Sequence, residues 1–487
     1  MNALELASGV IVTGFHGTHP SRNDLAALRR VPFGGYILFA RNIEDVAQMR
    51  ALTGALCAGA PIPPIVAIDQ EGGRVMRLRA GAEPMPPMMA LGALADVQLA
   101  FDAGETLGHD LRRTGCTLDF APVLDLALDA RNTVIGTRAF GTSGELVARL
   151  GGALARGLES AGIMPTFKHF PGHGATAFDT HVGPARLDCD EATLRARDLW
   201  PFAACLRNDA AVMAAHVAVP AIDGELPASL SRRFLTGILR DEWRFAGVCF
   251  TDCMQMDAIA QGVGTVRGVV RAIAAGADCA VISHDPELAC EAAHGLARAV
   301  ESGEVAAERL REAHERVKML RTRAHPPCDI DAPAPHPGIG RRIAREAVTV
   351  LRGVPRADPV ADFAVVFGEG SLAAHAPALE ERRLDVDPSD DEVAAALNAV
   401  AQSNRRPLVL TSRAHLHERQ ARAIETILDR APDALVVSCA EPYDAPLFAR
   451  ARHVLAAYGN DEVSLAGLSD AIFLGTPCRG ALPIALA

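Results

Sequence analysis

VIVTG, spanning Val10 to Gly14, is the first of eight short apolar runs within the first 285 residues. Each run is followed by a glycine, a proline or a polar residue, and then by a longer stretch of helical character. The other seven runs are YILF from Tyr36, IVAI from Ile65, TLDFAP from Thr117, MPTFK from Met164, AVMAA from Ala211, GVCFT from Gly247 and CAVIS from Cys279. Buried strands that alternate with helices are typical of parallel βαβ units. Eight units predict an α/β fold with a closed (β/α)8 barrel of the TIM type, and an open doubly wound sheet is the alternative.

One of the intervening helices can be read directly from the residues after the fourth run. Ser143 is suited to cap its amino terminus, and Gly162 is suited to end it. Between them leucines recur with helical spacing, at positions 146, 150, 154 and 158. This spacing predicts a helix with one apolar face that packs into the core.

A proline-rich segment, AHPPCDIDAPAPHPG at residues 324–338, interrupts this pattern. It predicts a linker, because closely spaced prolines leave no room for regular structure. Four further apolar runs follow it and again alternate with helical stretches: FAVVF from Phe363, PLVLTS from Pro407, ALVVS from Ala434 and HVLAAYG from His453. We therefore expect a catalytic barrel over residues 1–325, a linker over 326–340 and a smaller α/β sandwich domain over 341–487.

The composition is that of a globular protein: 49% of the 487 residues are hydrophobic and 22% are charged. A formal net charge of -11 argues against nucleic acid or an anionic membrane as a partner. No run of ~18 apolar residues occurs, so no membrane span is predicted. Eleven cysteines without a CxxC pair favour a reducing compartment. The amino terminus lacks the layout of a signal peptide, and we expect a cytoplasmic protein.

Polar residues follow most of the predicted barrel strands, at the points where the strands end. In (β/α)8 barrels the chemistry lies at these carboxyl ends. One aspartate there could simply cap the next helix, but polar residues at so many strand ends predict an active site. The residues are Arg41 and Asn42 after strand two, Asp69, Gln70 and Glu71 after strand three, Lys168 and His169 after strand five, His216 after strand six, Asp252 after strand seven, and His284 and Asp285 after strand eight.

The densest group of polar residues is KHFPGHGATAFDTHVG, Lys168 to Gly183. His169 and His173 have the four-residue spacing of zinc ligands on a helix, but Pro171 and Gly172 between them prevent that helix. We therefore expect no metal and no other cofactor. Glycines that permit closure, and histidines with pKa values near neutrality, favour a catalytic loop instead.

Eight motifs of a known family occur in the expected order through the first 285 residues. They are GYILFARN, AIDQEGGRVMRL, FAPVLDL, IGTRAFG, KHFPGHG, DTH, MAAHV and FTDCMQMDAI. On these motifs the chain resembles glycoside hydrolase family 3, specifically its β-N-acetylglucosaminidase branch, which includes bacterial enzymes of cell-wall recycling. The second domain resembles the α/β sandwich of this family more loosely, mainly through FLGTPCRGALPIAL near the carboxyl terminus.

The resemblance implies roles for individual residues. Asp252, in FTDCMQMDAI, aligns with the catalytic nucleophile, although the Cys-Met that follows it departs from the commoner residues. His181 and Asp179, in DTH, align with a pair in which the histidine is the general acid/base and the aspartate orients it. The residues that align with positions gripping the terminal sugar are Asp69, Arg138, Lys168 and His169. His216 is a further candidate for substrate binding, with a hydrogen bond in the core as the alternative.

The resemblance also implies an activity, that of a retaining, exo-acting β-N-acetylglucosaminidase. It would hydrolyse terminal β-linked N-acetylglucosamine from short glycans, with muropeptides of cell-wall recycling as the expected substrates. The chain has only two tryptophans and three tyrosines. Grooves that bind long polysaccharides use such side chains as stacking platforms, so their scarcity favours a small pocket for a short glycan.

Three alternatives stay open at this stage. The first is a phosphorylase that uses phosphate in place of water, because a neutral histidine as acid/base would not repel an incoming anion. A β-glucosidase of the same family and a sugar-binding protein without activity are the others. The aglycone, the oligomeric state and the role of the second domain are also open, although Glu369 of that domain is expected to be dispensable.

Overall fold

The computed structural model describes residues 1–176, 185–207, 210–354, 363–402 and 406–486. Eight parallel strands close into a barrel, in which each strand pairs with the next along the chain and the eighth pairs with the first. The barrel strands, numbered one to eight below, are Ile11–Thr13, Gly35–Leu38, Ile65–Ile68, Leu118–Asp119, Met164–Phe170, Ala211–Ala214, Cys249–Cys253 and Cys279–Ile282. This closure confirms the predicted TIM-type barrel and excludes the open sheet.

Helices surround the barrel, which explains why its strands are continuous apolar runs: one side of each strand faces the barrel interior and the other faces a helix. The α-helices of this part are Ala3–Ser8, Arg22–Leu28, Val46–Cys57, Met88–Leu94, Val97–Thr114, Gly144–Ser160, Glu191–Ala196, Trp200–Cys205, Pro220–Asp223, Asp257–Ala260, Thr265–Ala275, Pro286–Glu301 and Ala307–Thr322. A π-helix spans Arg233–Glu242, and short 3-10 helices span Ala40–Asn42, Gly136–Arg138 and Ala228–Leu230.

The helix expected after strand four is present as Gly144–Ser160. The side chain of Ser143 caps it by accepting a hydrogen bond from the backbone N–H of Leu146 at 3.4 Å. Three of the four spaced leucines, at positions 150, 154 and 158, are fully buried. The predicted cap and the apolar face are therefore both confirmed.

After the barrel the chain runs without helix or strand from Ala324 to Gly338, all of it within the described residues. The helix Ile339–Ala347 then begins one position before the expected end of the linker at residue 340. It packs between the barrel helix Met88–Leu94 and the helix Glu462–Phe473.

The second part of the chain is a three-layer α/β sandwich, as predicted. Its sheet has the strand order Thr349–Arg352, His453–Ala456, Leu435–Ser438, Leu408–Thr411, Phe363–Phe367 and Glu380–Leu384. Alternate strand residues face the two sides, so that Val365 packs with the helices Asp390–Gln402 and Glu418–Arg430, while Val366 packs with Glu462–Phe473. Two 3-10 helices, Ala414–Leu416 and Pro442–Phe448, complete this part.

Three strand features were not among the predicted runs. Thr349–Arg352 lies antiparallel at one edge of the second sheet, and Glu380–Leu384, with the sequence EERRL, lies at the other. Edge strands keep one side in water, so polar residues are tolerated there. A small hairpin, Gln70–Gly72 with Val75–Met76, follows barrel strand three.

The carboxyl ends of the second sheet face the loops of the barrel. The hydroxyl of Tyr443 donates to the carbonyl of Ala127 at 2.6 Å, and His415 Nε2 donates to the carbonyl of Ala130 at 2.9 Å. Further along the chain, the carbonyl of Pro483 accepts from the Thr142 N–H at 3.0 Å.

In the ranges that the structure describes, no helix is long and apolar enough to cross a bilayer.

Candidate active site

A cavity of about 370 Å³ opens at the carboxyl ends of the barrel strands. Its polar lining comes from the strand ends and the loops that the sequence singled out, and from the hairpin after strand three. The polar lining residues are Arg41, Asp69, Arg77, Arg138, Lys168, His169, His173, Asp252, Cys253, Ser283 and His284, with Phe39, Phe120, Val134 and Met256 among the apolar ones. The structure therefore brings Asp252 together with all four residues expected to grip the sugar.

Three of these residues, Asp69, Lys168 and Arg138, form one ionic network with the buried Glu71. Lys168 Nζ lies 2.7 Å from Asp69 Oδ1 and 2.5 Å from Glu71 Oε1. Glu71 in turn holds Arg138 by two hydrogen bonds, Nε to Oε2 and Nη2 to Oε1, each 2.7 Å long. This bidentate pairing fixes the plane of the guanidinium as well as its position.

The network favours the charged forms of Glu71 and Lys168. Burial raises the pKa of the Glu71 carboxyl, but Arg138 and Lys168 outweigh burial and hold the pKa far below its usual value. Burial likewise opposes the charged form of Lys168, and Asp69 and Glu71 reverse this and raise its pKa. Asp69 remains the accessible acceptor, with 16% of its side chain exposed against 2% for Glu71. Glu71 is committed to two cations and is not free to act as an acid.

A second carboxylate, Asp125, holds His169 at the end of strand five and His173 in the loop after it. Its Oδ2 accepts from His169 Nδ1 at 2.6 Å, and its Oδ1 accepts from the backbone N–H of His173 at 2.6 Å. This leaves His169 Nε2 facing the cavity, 3.5 Å from Arg138 Nη2. Asp125 is therefore paired with His169 and with the backbone of His173. The Lys168–His169 peptide bond, near the end of strand five, is cis.

Asp252 stands at the end of barrel strand seven and lines the cavity. Its Oδ1 accepts a hydrogen bond of 2.6 Å from the backbone N–H of Cys253. Burial would raise the pKa of this carboxyl, but His169, His216 and that N–H outweigh burial, and the pKa lies below its usual value. A carboxylate held ionised in a cavity beside cations is suited to be a nucleophile.

His216 lies behind the cavity rather than in its described lining. Burial lowers the pKa of its ring. Its Nε2 donates to the carbonyl of Cys253 at 2.9 Å, and its Nδ1 accepts from the Ser229 hydroxyl at 2.7 Å. Both ring nitrogens are therefore used by protein groups, and the ring supports the segment that carries Asp252.

Several polar residues at strand ends are structural, as the capping alternative foresaw. Asp285 caps the helix Pro286–Glu301 by accepting from the Leu288 N–H at 3.0 Å. Asn42 donates to the carbonyls of Phe15 and Gly17 and holds a loop together. Position after a strand is thus not a sufficient sign of a site residue.

Sequence reasoning did not single out Arg77. It lines the cavity from the hairpin region after strand three, with its Nη2 3.9 Å from Asp69 Oδ2 and its guanidinium 5.6 Å from the ring centre of Phe39. Arg77 belongs to the motif AIDQEGGRVMRL, which could have identified it. It does not directly follow a barrel strand, and only the hairpin places it beside the cavity.

The expected acid/base pair, Asp179 and His181, lies outside the described residues, which stop at Thr176 and resume at residue 185. Among the residues that are described, no group of three or more His, Cys, Asp or Glu side chains is arranged to hold a metal ion. The two histidines weighed as zinc ligands are engaged elsewhere: Nδ1 of His169 with Asp125, and Nδ1 of His173 with the Thr176 hydroxyl at 3.1 Å.

Comparison with known proteins agrees with this geometry. The model of the glycosyl hydrolase family 3 N-terminal domain matches residues 5–320. A β-hexosaminidase of Nitrosomonas eutropha is 39% identical over 290 residues, which cover 58% of this chain and 83% of the relative. A β-hexosaminidase of Pseudomonas aeruginosa is 41% identical over 279 residues, or 57% of this chain and 83% of the relative. The solved structure of a family 3 β-N-acetylglucosaminidase from Paenibacillus sp. FPU-7 superposes with a TM-score of 0.93 at 31% identity and covers 100% of this chain and 99% of its own.

Proposed function

The chain belongs to glycosyl hydrolase family 3, and we propose from this that Asp252 is the nucleophile of a retaining, exo-acting β-N-acetylglucosaminidase. The protein is a glycoside hydrolase, and its similarity to β-hexosaminidases supports hydrolysis of terminal β-linked N-acetylglucosamine. One observation carries the assignment: an ionised Asp252 lines the same 370 Å³ cavity as Asp69, Arg138, Lys168 and His169.

The first step is attack by an Asp252 carboxylate oxygen on the anomeric carbon. The bond from that carbon to the glycosidic oxygen breaks, and a glycosyl-enzyme ester forms. A carboxylate suits this step because it stabilises the oxocarbenium-like transition state and later departs as an anion. The low pKa of Asp252 keeps it available as the anion at neutral pH.

We assign the proton transfers to His181, oriented by Asp179, on the strength of the DTH motif. In the first step His181 gives its proton to the departing oxygen. In the second it takes a proton from the water that attacks the anomeric carbon, and Asp252 is released as a carboxylate. An imidazole, whose ordinary pKa is ~6.5, can serve in both directions near neutral pH.

We assign sugar binding to Asp69, Arg138, Lys168 and His169. Asp69 is partly exposed and accepts hydrogen bonds, whereas Lys168 and Arg138 are donors whose heads are fixed by Glu71. Donors and acceptors held in fixed positions bind the hydroxyls of one sugar at a low cost in side-chain entropy. His216 is assigned to positioning of Asp252 rather than to the sugar.

The finer points of the function are also proposals. Short muropeptides are the proposed natural substrates, the cytoplasm is the proposed location, and no nucleic-acid or membrane partner is proposed. The proposed domain division is a catalytic barrel over 1–325, a linker over 326–340 and an α/β sandwich over 341–487.

The test compares the wild-type protein with Asp252→Asn on 4-nitrophenyl N-acetyl-β-glucosaminide and on the matching β-glucoside. Loss of the nucleophile should lower kcat by at least ~10³-fold, and the acetamido substrate should be preferred. The matched control is Asp285→Asn, an aspartate that caps a helix after the neighbouring strand and should retain activity. Undiminished turnover by Asp252→Asn contradicts the assignment, and accumulation of sugar 1-phosphate at rising phosphate concentration would identify a phosphorylase.

A further inference from the structure

We propose that Glu441, from the second domain, is a positioning residue of the active site: it fixes the turn that carries Arg138. The proposal rests on the function proposed above, because it acts through a residue assigned to sugar binding. It goes beyond that function by giving the second domain a part in the reaction of the barrel.

The contact is made at the 3-10 helix Gly136–Arg138. The first N–H groups of a helix have no partner within it. Here the backbone N–H of Thr137 donates to Glu441 Oε1 at 3.3 Å, across 304 residues of chain. The carboxylate of one domain therefore caps a turn of the other.

The sequence of the turn is adapted to this approach. A Cβ atom added at Gly136 would lie 1.8 Å from Glu441 Oε1, so only glycine leaves room for the carboxylate. The backbone of Gly136 also has φ +46°, in the region that glycine adopts most easily.

Glu441 is itself held in place. It is 3% exposed, and Arg413 binds both of its oxygens, Nε to Oε2 at 2.7 Å and Nη2 to Oε1 at 3.1 Å. Burial would raise the pKa of Glu441, but Arg413 outweighs burial and the pKa is lowered, so the cap is an anion. An anion at the amino end of the turn is favourable because the Thr137 N–H donates to it.

The other side of the same loop is held from within the barrel. Arg74 Nη2 donates to the carbonyls of Thr133 and Val134, at 2.6 and 2.7 Å. Arg138 Nη1 donates to the carbonyl of Val134 at 3.0 Å, which ties its side chain to the loop. With Glu441 capping the turn and Arg74 holding the preceding loop, the backbone beneath Arg138 is fixed from both domains.

The guanidinium of Arg138 lines the cavity, and the supported turn carries its backbone. Its guanidinium pairs with Glu71 and lies 3.5 Å from His169 Nε2. A displacement of the turn would therefore shift both a sugar-binding donor and the carboxylate that fixes Lys168. Errors of about 1 Å in such groups can cost up to ~100-fold in rate.

The experiment measures kcat and KM for 4-nitrophenyl N-acetyl-β-glucosaminide in a double-mutant cycle of Glu441→Ala and Arg138→Ala. We expect Glu441→Ala to lower kcat/KM by about tenfold, and to cause no further loss when Arg138 is already alanine, because two residues that act as a unit are not additive. Tyr443→Phe is the matched control. It removes the neighbouring interdomain hydrogen bond to Ala127 and should stay within about twofold of wild type.

Two results would overturn the proposal. One is a double variant whose loss in kcat/KM equals the product of the two single losses, and the other is an unchanged kcat/KM in Glu441→Ala. An equal loss in Tyr443→Phe would do so too, because it would indicate domain docking in general. If Glu441→Ala does not fold, as judged by its thermal midpoint, Glu441→Gln takes its place in the cycle. It can still accept from Thr137 but lacks the charge, and it should lose activity only while Arg138 is present.

The same measurements distinguish failure of the proposed function from failure of the inference. A wild-type protein without turnover would remove the proposed function and this inference with it. A wild-type protein that is active and impaired by Arg138→Ala, but indifferent to Glu441, would remove the inference alone.

Discussion

Lys168 Nζ lies 2.5 Å from Glu71 Oε1, and both side chains are only 2% exposed. This buried ion pair has two further partners: Asp69 pairs with Lys168, and Arg138 pairs with Glu71. Removing one partner of a buried pair leaves an uncompensated charge, which is the costly event, whereas the intact pair itself need not stabilise the fold.

Lys168→Met is therefore expected to destabilise the protein by about 3 kcal/mol, as well as to impair sugar binding. Urea unfolding followed by circular dichroism measures the first effect. Lys318→Met is the control: this lysine pairs with Glu315 at the surface and is 41% exposed, so its loss should change stability by less than ~0.5 kcal/mol. Equal stability of the two variants would contradict a dependence of the fold on the buried pair.

Glu71→Gln should weaken the pH dependence of stability in acid. A carboxylate whose pKa is lowered by folding stabilises the fold above its unfolded pKa of ~4.3, and this stabilisation is lost as the pH falls towards the folded pKa. The wild type should therefore exceed Glu71→Gln in stability at pH 7, and the gap should narrow below about pH 4. Unfolding curves at pH values from 3 to 7 measure this, with the exposed Glu315→Gln as control. A gap independent of pH would speak against the shifted carboxylate.

His216→Asn should act on turnover more than on binding. The ring donates to the carbonyl of Cys253, next to Asp252, and does not reach the cavity. We expect kcat to fall by about tenfold, with KM changed by less than about twofold. A raised KM with an unchanged kcat would instead return His216 to the sugar-binding role that the sequence suggested. Ser229→Ala, which removes the hydroxyl on the far side of the ring, should give a weaker effect of the same kind.

Gly136→Ala should destabilise the protein through the contact between domains. The added methyl group would meet Glu441 Oε1 at 1.8 Å, and overpacking of this kind costs about 1–3 kcal/mol. In a Glu441→Ala background the cost should shrink, since the clashing group is gone. Gly54→Ala serves as control, because nothing lies within 4 Å of its added Cβ in the helix Val46–Cys57. A cost that is the same in both backgrounds would show that strain at the positive φ, rather than the carboxylate, is responsible.

The barrel was readable from the chain because its signals are local. Each strand is a short apolar run, since helices cover it on one side and the barrel interior on the other, and each run precedes its own helix. The same logic located Asp69, Lys168, His169 and Asp252, because chain order alone brings the carboxyl ends of parallel strands to one rim. It failed at Glu380–Leu384, where an edge strand needs no apolar run.

Tertiary structure decided which of these polar residues work together. Asp252 and Asp285 both follow barrel strands, yet one lines the cavity and the other caps a helix. Gly136 and Glu441 meet although the chain between them contains half of the barrel and most of the second domain. Apolar periodicity is local and determines which face of an element is buried. Hydrogen bonds between domains depend on how the two folded domains pack against each other, and no local sequence pattern specifies that packing.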